Sequence, residues 1–123
     1  MTTAVSSHKD LIVWQKSVTL SIAIYKLTEG FPQREVYALS SQLRRCAVSI
    51  PSNISEGKAR RSRKDFTHFL AIAYGSASEM ETQLLIAATL GYCSQNEYEQ
   101  VNSLLSEVSK MLRAMIEKLE TRG

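Results

Sequence analysis

The chain has little of what turn-rich folds and most active sites are built from. Its 123 residues include two prolines, five glycines, two cysteines, two histidines and one tryptophan. So few turn-forming residues exclude an all-β fold, which needs such punctuation every few residues. Cys46 and Cys93 each sit among apolar neighbours, with no His or second Cys nearby. That excludes a disulfide framework and zinc-ligand spacing, and the expectation is reduced thiols in a cytoplasmic protein. No run of 18 apolar residues exists, so no membrane-spanning segment is expected. The start, Met1 to Ser7, lacks the basic and apolar parts of a secretory signal, and residues 1–9 read as a disordered tail. Catalytic signatures are missing too. There is no glycine-rich phosphate loop and no Glu-x-x-His pair of the kind di-iron bundles use. His8 lies near a frayed end, and His68 shares its face with no nucleophile or second ligand. The expectation is a protein that is not an enzyme, with no catalytic residue, cofactor or metal.

What the chain does have is helical periodicity over nearly its whole length. Apolar residues make up 44% and charged residues 22%, enough for one domain with a proper core at this length. Ser7-His8-Lys9-Asp10 has the form of a capping box and opens a first helix over about 10–29. That helix carries two stripes, Leu11, Trp14, Val18, Ile22, Tyr25 and Val13, Leu20, Ile24, Leu27. A second helix is expected from near Pro32 to about Arg61, roughly 28 residues or ~42 Å, with Glu35 in its first turn. Its stripe is Leu39, Leu43, Cys46, Ile50, Ile54, and Pro51 predicts a kink within it, with a break at Ile50 as the alternative. A third helix follows the capping box Ser62-Arg63-Lys64-Asp65. Its seam Phe66, Leu70, Ala73, Ala77, Met80, Leu84, Ala87 alternates spacings of 4 and 3. A fourth follows Ser94-Gln95-Asn96-Glu97, with the seam Tyr98, Val101, Leu105, Val108, Leu112, Met115, Leu119. Short connections between such helices predict an all-α, antiparallel, up-down-up-down four-helix bundle over 10–121.

The first, third and fourth helices carry more apolar surface than one stripe each. The surplus includes Val13, Leu20, Ile24, Phe69, Ile72, Ile86, Leu104 and Met111. Each such side chain left wet costs roughly 1.5–3 kcal/mol relative to burial. The favoured consequence is self-association; the alternative is a wide, well-filled core.

Leu11-Ile12-Val13-Trp14-Gln15-Lys16, Phe31-Pro32 with Glu35, and the stretch from Leu39 through Arg44-Arg45-Cys46 to Ser49-Ile50-Pro51-Ser52-Asn53-Ile54-Ser55-Glu56-Gly57 form an ordered set of motifs. Phe66, Phe69-Leu70, Ile72-Ala73-Tyr74-Gly75-Ser76, Glu79-Met80-Glu81-Thr82-Gln83-Leu84 and Leu90-Gly91-Tyr92 continue it. In this order they resemble the four-helix-bundle proteins encoded in 23S rRNA intervening sequences of bacteria. The likeness runs from about Asp10 over nearly the whole chain. It implies a homopentamer arranged as a ring and a link to RNA. Distant relatives, similar in fold and basic surface, are accessory proteins of retroelement reverse transcriptases, so the alternative role is a scaffold for an RNA-associated protein partner. Cys46 departs from the alanine common at its position.

The candidate nucleic-acid-binding residues are Arg44, Arg45, Lys58, Arg60, Arg61, Arg63 and Lys64. Lys and Arg make the phosphate contacts that dominate nucleic-acid affinity. A net charge of +3 permits such a partner without requiring it. A helix dipole accounts for cations at a helix C-terminus, as with Lys58, Arg60 and Arg61. It does not account for Arg63 and Lys64, which open the third helix. No aromatic residue lies within the run, so base-stacking readout is not expected. A second set, Ser49, Asn53, Glu56 and Glu79, reads as a structural polar network between the second and third helices, with Arg45 facing Glu79 and with Ser49, Ser52 and Asn53 positioned to serve the carbonyl that Pro51 leaves free.

Overall fold

The computed structural model describes residues 7–121, apart from the side chain of Asp10. Four α-helices account for most of them: α1 Ile12–Thr28, α2 Leu39–Lys58, α3 Arg63–Thr89 and α4 Gln95–Thr121. Each helix packs on two neighbours: α1 on α2 and α4, α3 on α2 and α4. The diagonal pairs do not meet. Side-chain contacts pair rising numbers on α2 with falling numbers on α1 and α3, as antiparallel neighbours require. Ser21 meets Ala47 and Thr28 meets Arg44. Ser49 meets Ser76, and Gly57 lies against Phe66 and Phe69. This is an all-α four-helix bundle.

The helix starts follow capping chemistry. Ser62 Oγ accepts from Asp65 N at 3.0 Å and opens α3. At α4 the box is complete: Glu97 N donates to Ser94 Oγ at 3.0 Å, and Ser94 N donates to Glu97 Oε1 at 2.8 Å. Gly91 ends the α3 region in the left-handed conformation, φ +80°, which favours glycine.

Three expectations need correction. Ser7 caps a short 3₁₀ turn, His8–Asp10, instead of α1. The His8 ring packs edge-on against Trp14 at 5.0 Å, so residues 7–9 are not tail. The rest of the expected tail, residues 1–6, lies outside the described residues. Second, α2 begins at Leu39, not near Pro32. A 3₁₀ turn, Gln33–Glu35, precedes it, and Glu35 Oε1 accepts from Leu39 N at 3.2 Å. Glu35 therefore caps α2 from outside the helix, while its Oε2 accepts from Tyr92 Oη at 2.8 Å. α2 ends at Lys58 and runs unbroken through Pro51, so the break at Ile50 is not adopted.

The third correction concerns the core. Val13, Leu20 and Ile24 are not surplus: they are buried, as is Leu27. Buried Ser17 completes a seam 13, 17, 20, 24, 27 with alternating spacings of 4 and 3. A hydroxyl can hold a core position because Ser17 Oγ donates to Trp14 O at 2.8 Å. The outer stripe is the other one, with Ile22 and Tyr25 exposed. The remaining core matches the seams: Leu43, Ile50 and Ile54 of α2; Leu70, Ala73, Ala77, Met80, Leu84 and Ala87 of α3; Val101, Leu105, Val108 and Leu112 of α4. Phe69, Leu104 and Met111 are half-buried, leaving Ile72 and Ile86 as the exposed members of the expected surplus.

Pro51 has no N–H to give the Ala47 carbonyl, which is buried with its residue. The donor comes from another helix. Ser21 Oγ of α1 lies 2.8 Å from Ala47 O, and 2.9 Å from Ser17 O. The local candidates do other work: Asn53 Nδ2 donates to Ser49 O at 2.8 Å and lies 3.0 Å from Ser49 Oγ.

Candidate nucleic-acid interface

The α2–α3 connection carries the basic run at one end of the bundle, but its members are not equivalent. Arg60 donates to Glu56 at 2.8 Å and its guanidinium lies 4.8 Å from the centre of the Phe69 ring. Lys58 sits 5.8 Å from the Phe66 ring centre. These two cover aromatic rings at the α2–α3 closure and complement the end of α2. Arg61, Arg63 and Lys64 are exposed, and no carboxylate lies within 4.0 Å of them among the described residues. Arg63 and Lys64 line a surface cavity of about 490 Å³ with Thr67, His68, Leu119 and Glu120. Asp65 in the first turn of α3 complements that helix's positive end, leaving the neighbouring cations to solvent.

Arg44 and Arg45 do not join this cluster. They lie thirteen or more residues before Lys58 on α2, a separation of about 20 Å along the axis. Arg44 is also engaged within the bundle. Its Nε donates to Thr28 Oγ1 at 2.7 Å, and its guanidinium stacks 4.8 Å from the Tyr25 ring centre. Arg45 is exposed and sits on a ridge between two grooves.

The polar set between α2 and α3 divides as well. Ser49 and Ser76 hydroxyls are 2.9 Å apart, and Asn53 joins them through Ser49. Glu56 turns to Arg60 instead. Glu79 is exposed, and no Arg45–Glu79 ion pair forms within 4.0 Å. Arg45, Ser49, Ser76 and Glu79 line a groove at the surface, not a buried network, and Asn53 and Glu56 lie outside its lining. Cys46 borders it, and burial, reinforced by the Glu79 carboxylate beside it, pushes its thiol up to about 11. Gln83, which the sequence places in one polar stripe of α3 with Ser76 and Glu79, is 7% exposed, and its Oε1 has no hydrogen-bond partner among the described residues.

No group of three or more His, Cys, Asp or Glu side chains is arranged to hold a metal among the described residues, and no helix there is long and apolar enough to cross a membrane. The molecule is thus a four-helix bundle with cations gathered at one end and polar grooves along α2. Residues 9–114 match the model of the 23S rRNA-intervening sequence protein family, and the chain belongs to that family. A crystal structure of a protein of unknown function from the S23 ribosomal protein family of Bacteroides thetaiotaomicron is similar throughout, with a TM-score of 0.78 at 30% identity. The match covers 85% of this chain and 98% of that one. No curated protein matches the sequence.

Proposed function

We propose that the protein is a non-catalytic, cytoplasmic accessory protein that binds RNA through its basic end and works as a homopentamer. The observation that carries this reading is the set Arg61, Arg63 and Lys64, exposed together at one end of the bundle without carboxylate partners. Cations not engaged in ion pairs supply the phosphate contacts that give salt-dependent, sequence-tolerant binding. Family membership supports a nucleic-acid setting, since the family is described by its 23S rRNA intervening sequence. Among the described residues ten large apolar side chains are exposed on the single chain, and this supports assembly. A ring would repeat the basic end in each copy, so weak contacts would combine through multivalency.

The test is a titration of structured RNA at two salt concentrations, with the wild-type protein and with Arg61, Arg63 and Lys64 reversed to Glu. The expected result is a loss of roughly tenfold or more and a shallower salt dependence in the variant. No binding at low salt, or equal binding by both proteins, overturns the RNA assignment. Light scattering that returns the mass of one subunit at micromolar concentration overturns the assembly.

A further inference from the structure

Arg44 and Arg45 stand apart from the basic end, about 20 Å back along α2. They border a hollow of about 650 Å³ on the α1 side of α2, together with Tyr25, Val36, Tyr37 and Val48. No carboxylate lines it. Its two tyrosines and two valines are four of the exposed large apolar side chains. Tyr37 is 96% exposed, against 44% for Tyr25. So large an apolar ring is seldom left almost wholly wet.

The Tyr37 ring does not hang from a slack loop. Val36 N donates to Gln33 O at 3.1 Å and Ala38 N to Glu35 O at 3.0 Å. Glu35 in turn accepts from Leu39 N and from Tyr92 Oη. The turn is thus fixed on both sides of the ring, and binding there costs little ordering of the backbone. Arg44 is fixed as well, bonded to Thr28 with its guanidinium against the Tyr25 ring. Arg45 is exposed and borders both this hollow and the α3-side groove that holds Glu79, with no ion pair to it within 4.0 Å. Aromatic faces beside cations, in a groove without acids, are the parts of a single-strand nucleic-acid site: bases stack on the rings and phosphates meet the cations. The basic end has the cations without such a ring. An acidic peptide would satisfy the arginines and leave Tyr37 without a planar partner.

We infer that the α1–α2 hollow binds an unpaired stretch of RNA, with a base stacked on Tyr37 and the flanking phosphates held by Arg44 and Arg45. This deepens the RNA reading above and rests on it. It adds a site that needs unstacked bases, separate from the basic end, which takes phosphates of paired and unpaired strands alike.

Fluorescence anisotropy with two labelled RNAs tests it: a short oligouridylate, which has no internal pairing, and a blunt duplex. Five proteins are compared: wild type, Tyr37→Ala, Tyr37→Phe, Arg45→Glu, and the variant with Arg61, Arg63 and Lys64 reversed to Glu. Tyr37→Ala is expected to weaken oligouridylate binding roughly five- to a hundredfold, the loss of one stacked base, and to leave the duplex unchanged. Tyr37→Phe keeps the ring and is expected to bind as wild type. Arg45→Glu is expected to lower the salt slope for oligouridylate by roughly 0.7 or more, one phosphate contact. 4-Thiouridine in the strand is expected to crosslink to the tryptic peptide 35–44, which carries Tyr37. Oligouridylate bound equally by wild type and Tyr37→Ala, or crosslinks confined to other peptides, overturns the site. Equal losses on both RNAs overturn it too, because a stacking ring acts only on unpaired bases. A Tyr37→Ala protein of lower mass than wild type by light scattering assigns the ring to a protein contact and overturns it. Polyglutamate that displaces oligouridylate at equal charge does the same in favour of an acidic peptide. The basic-end variant separates the two readings. If it loses neither RNA while Tyr37→Ala still loses oligouridylate, the basic end falls and the hollow stands. A wild type that binds neither RNA removes both.

Discussion

The bond from Ser21 to the Ala47 carbonyl makes a sharp prediction, because it repairs a defect created by a proline on another helix. Ser21→Ala removes the side-chain donor that reaches Ala47 O across the α1–α2 interface. Ala47 is fully buried, so its carbonyl loses its partner without gaining solvent. The expected cost is roughly 1–3 kcal/mol, the penalty for orphaning a buried acceptor. The methyl-sized volume change adds little, and the bond to Ser17 O is redundant because that carbonyl faces α1's own ladder. For a chain of this length the loss lowers Tm by roughly 4–12 °C. The diagnostic measurement is a double-mutant cycle with Pro51→Ala, read by urea unfolding at one protein concentration. Alanine at position 51 has an N–H of its own for Ala47 O. Ser21→Ala should therefore cost about 1 kcal/mol less, or lower still, in the Pro51→Ala background than in wild type. Equal costs in both backgrounds would refute the claim that Ser21 substitutes for the missing proline N–H.

Two further outcomes follow from local geometry. A Cβ at Gly57 would sit 2.7 Å from Phe69 Cβ and 3.1 Å from Phe66 Cδ1, whereas one at Gly75 would meet nothing within 4 Å. Gly57→Ala is therefore expected to destabilise by roughly 1–3 kcal/mol through overpacking at the α2–α3 closure. Gly75→Ala should instead stabilise the bundle by about 0.5–1 kcal/mol, through lower unfolded-chain entropy and better helix propensity. Urea unfolding of both decides it, and the same sign for the two would contradict the packing described. At Cys46, burial and then Glu79 raise the thiol from 9.0 to about 11, so the folded state favours the neutral form. The stability this brings is complete below the unfolded value and is lost as pH rises from about 9 to about 11. Wild type should lose up to about 2 kcal/mol more across that window than Cys46→Ala. Parallel pH profiles for the two proteins would show that the thiol is not protected.

The contrast between Ser17 and Leu70 shows where linear reading succeeds and where it stops. Leu70 belongs to an unbroken apolar alternation of 4 and 3, and every strictly seam-spaced position of α3 from Leu70 to Ala87 is in the core. Ser17 occupies an equivalent position on α1, but a hydroxyl there breaks the pattern, so the outer stripe with Ile22 and Tyr25 looked equally good. Only the backbone shows that Trp14 O receives the hydroxyl and makes the position tolerable. The cation cluster behaves in the same way. Its residues are legible as a run, but the run does not disclose that Glu56 and Phe69 occupy Arg60 while Arg61, Arg63 and Lys64 stay exposed.

The amino-acid order alone determined that the chain is helical, where α3 and α4 begin, and which residues of α2, α3 and α4 face inward. These follow from capping boxes and apolar period, which act within one or two turns of backbone. Tertiary structure alone decided which α1 stripe is core, what satisfies Ala47 behind Pro51, how Glu35 caps α2 from outside it, and that Gln83 is buried with a lone oxygen. Each of these depends on a partner on another helix or beyond a turn. A buried polar group is acceptable or costly according to that partner, and sequence spacing carries no record of what stands across the interface.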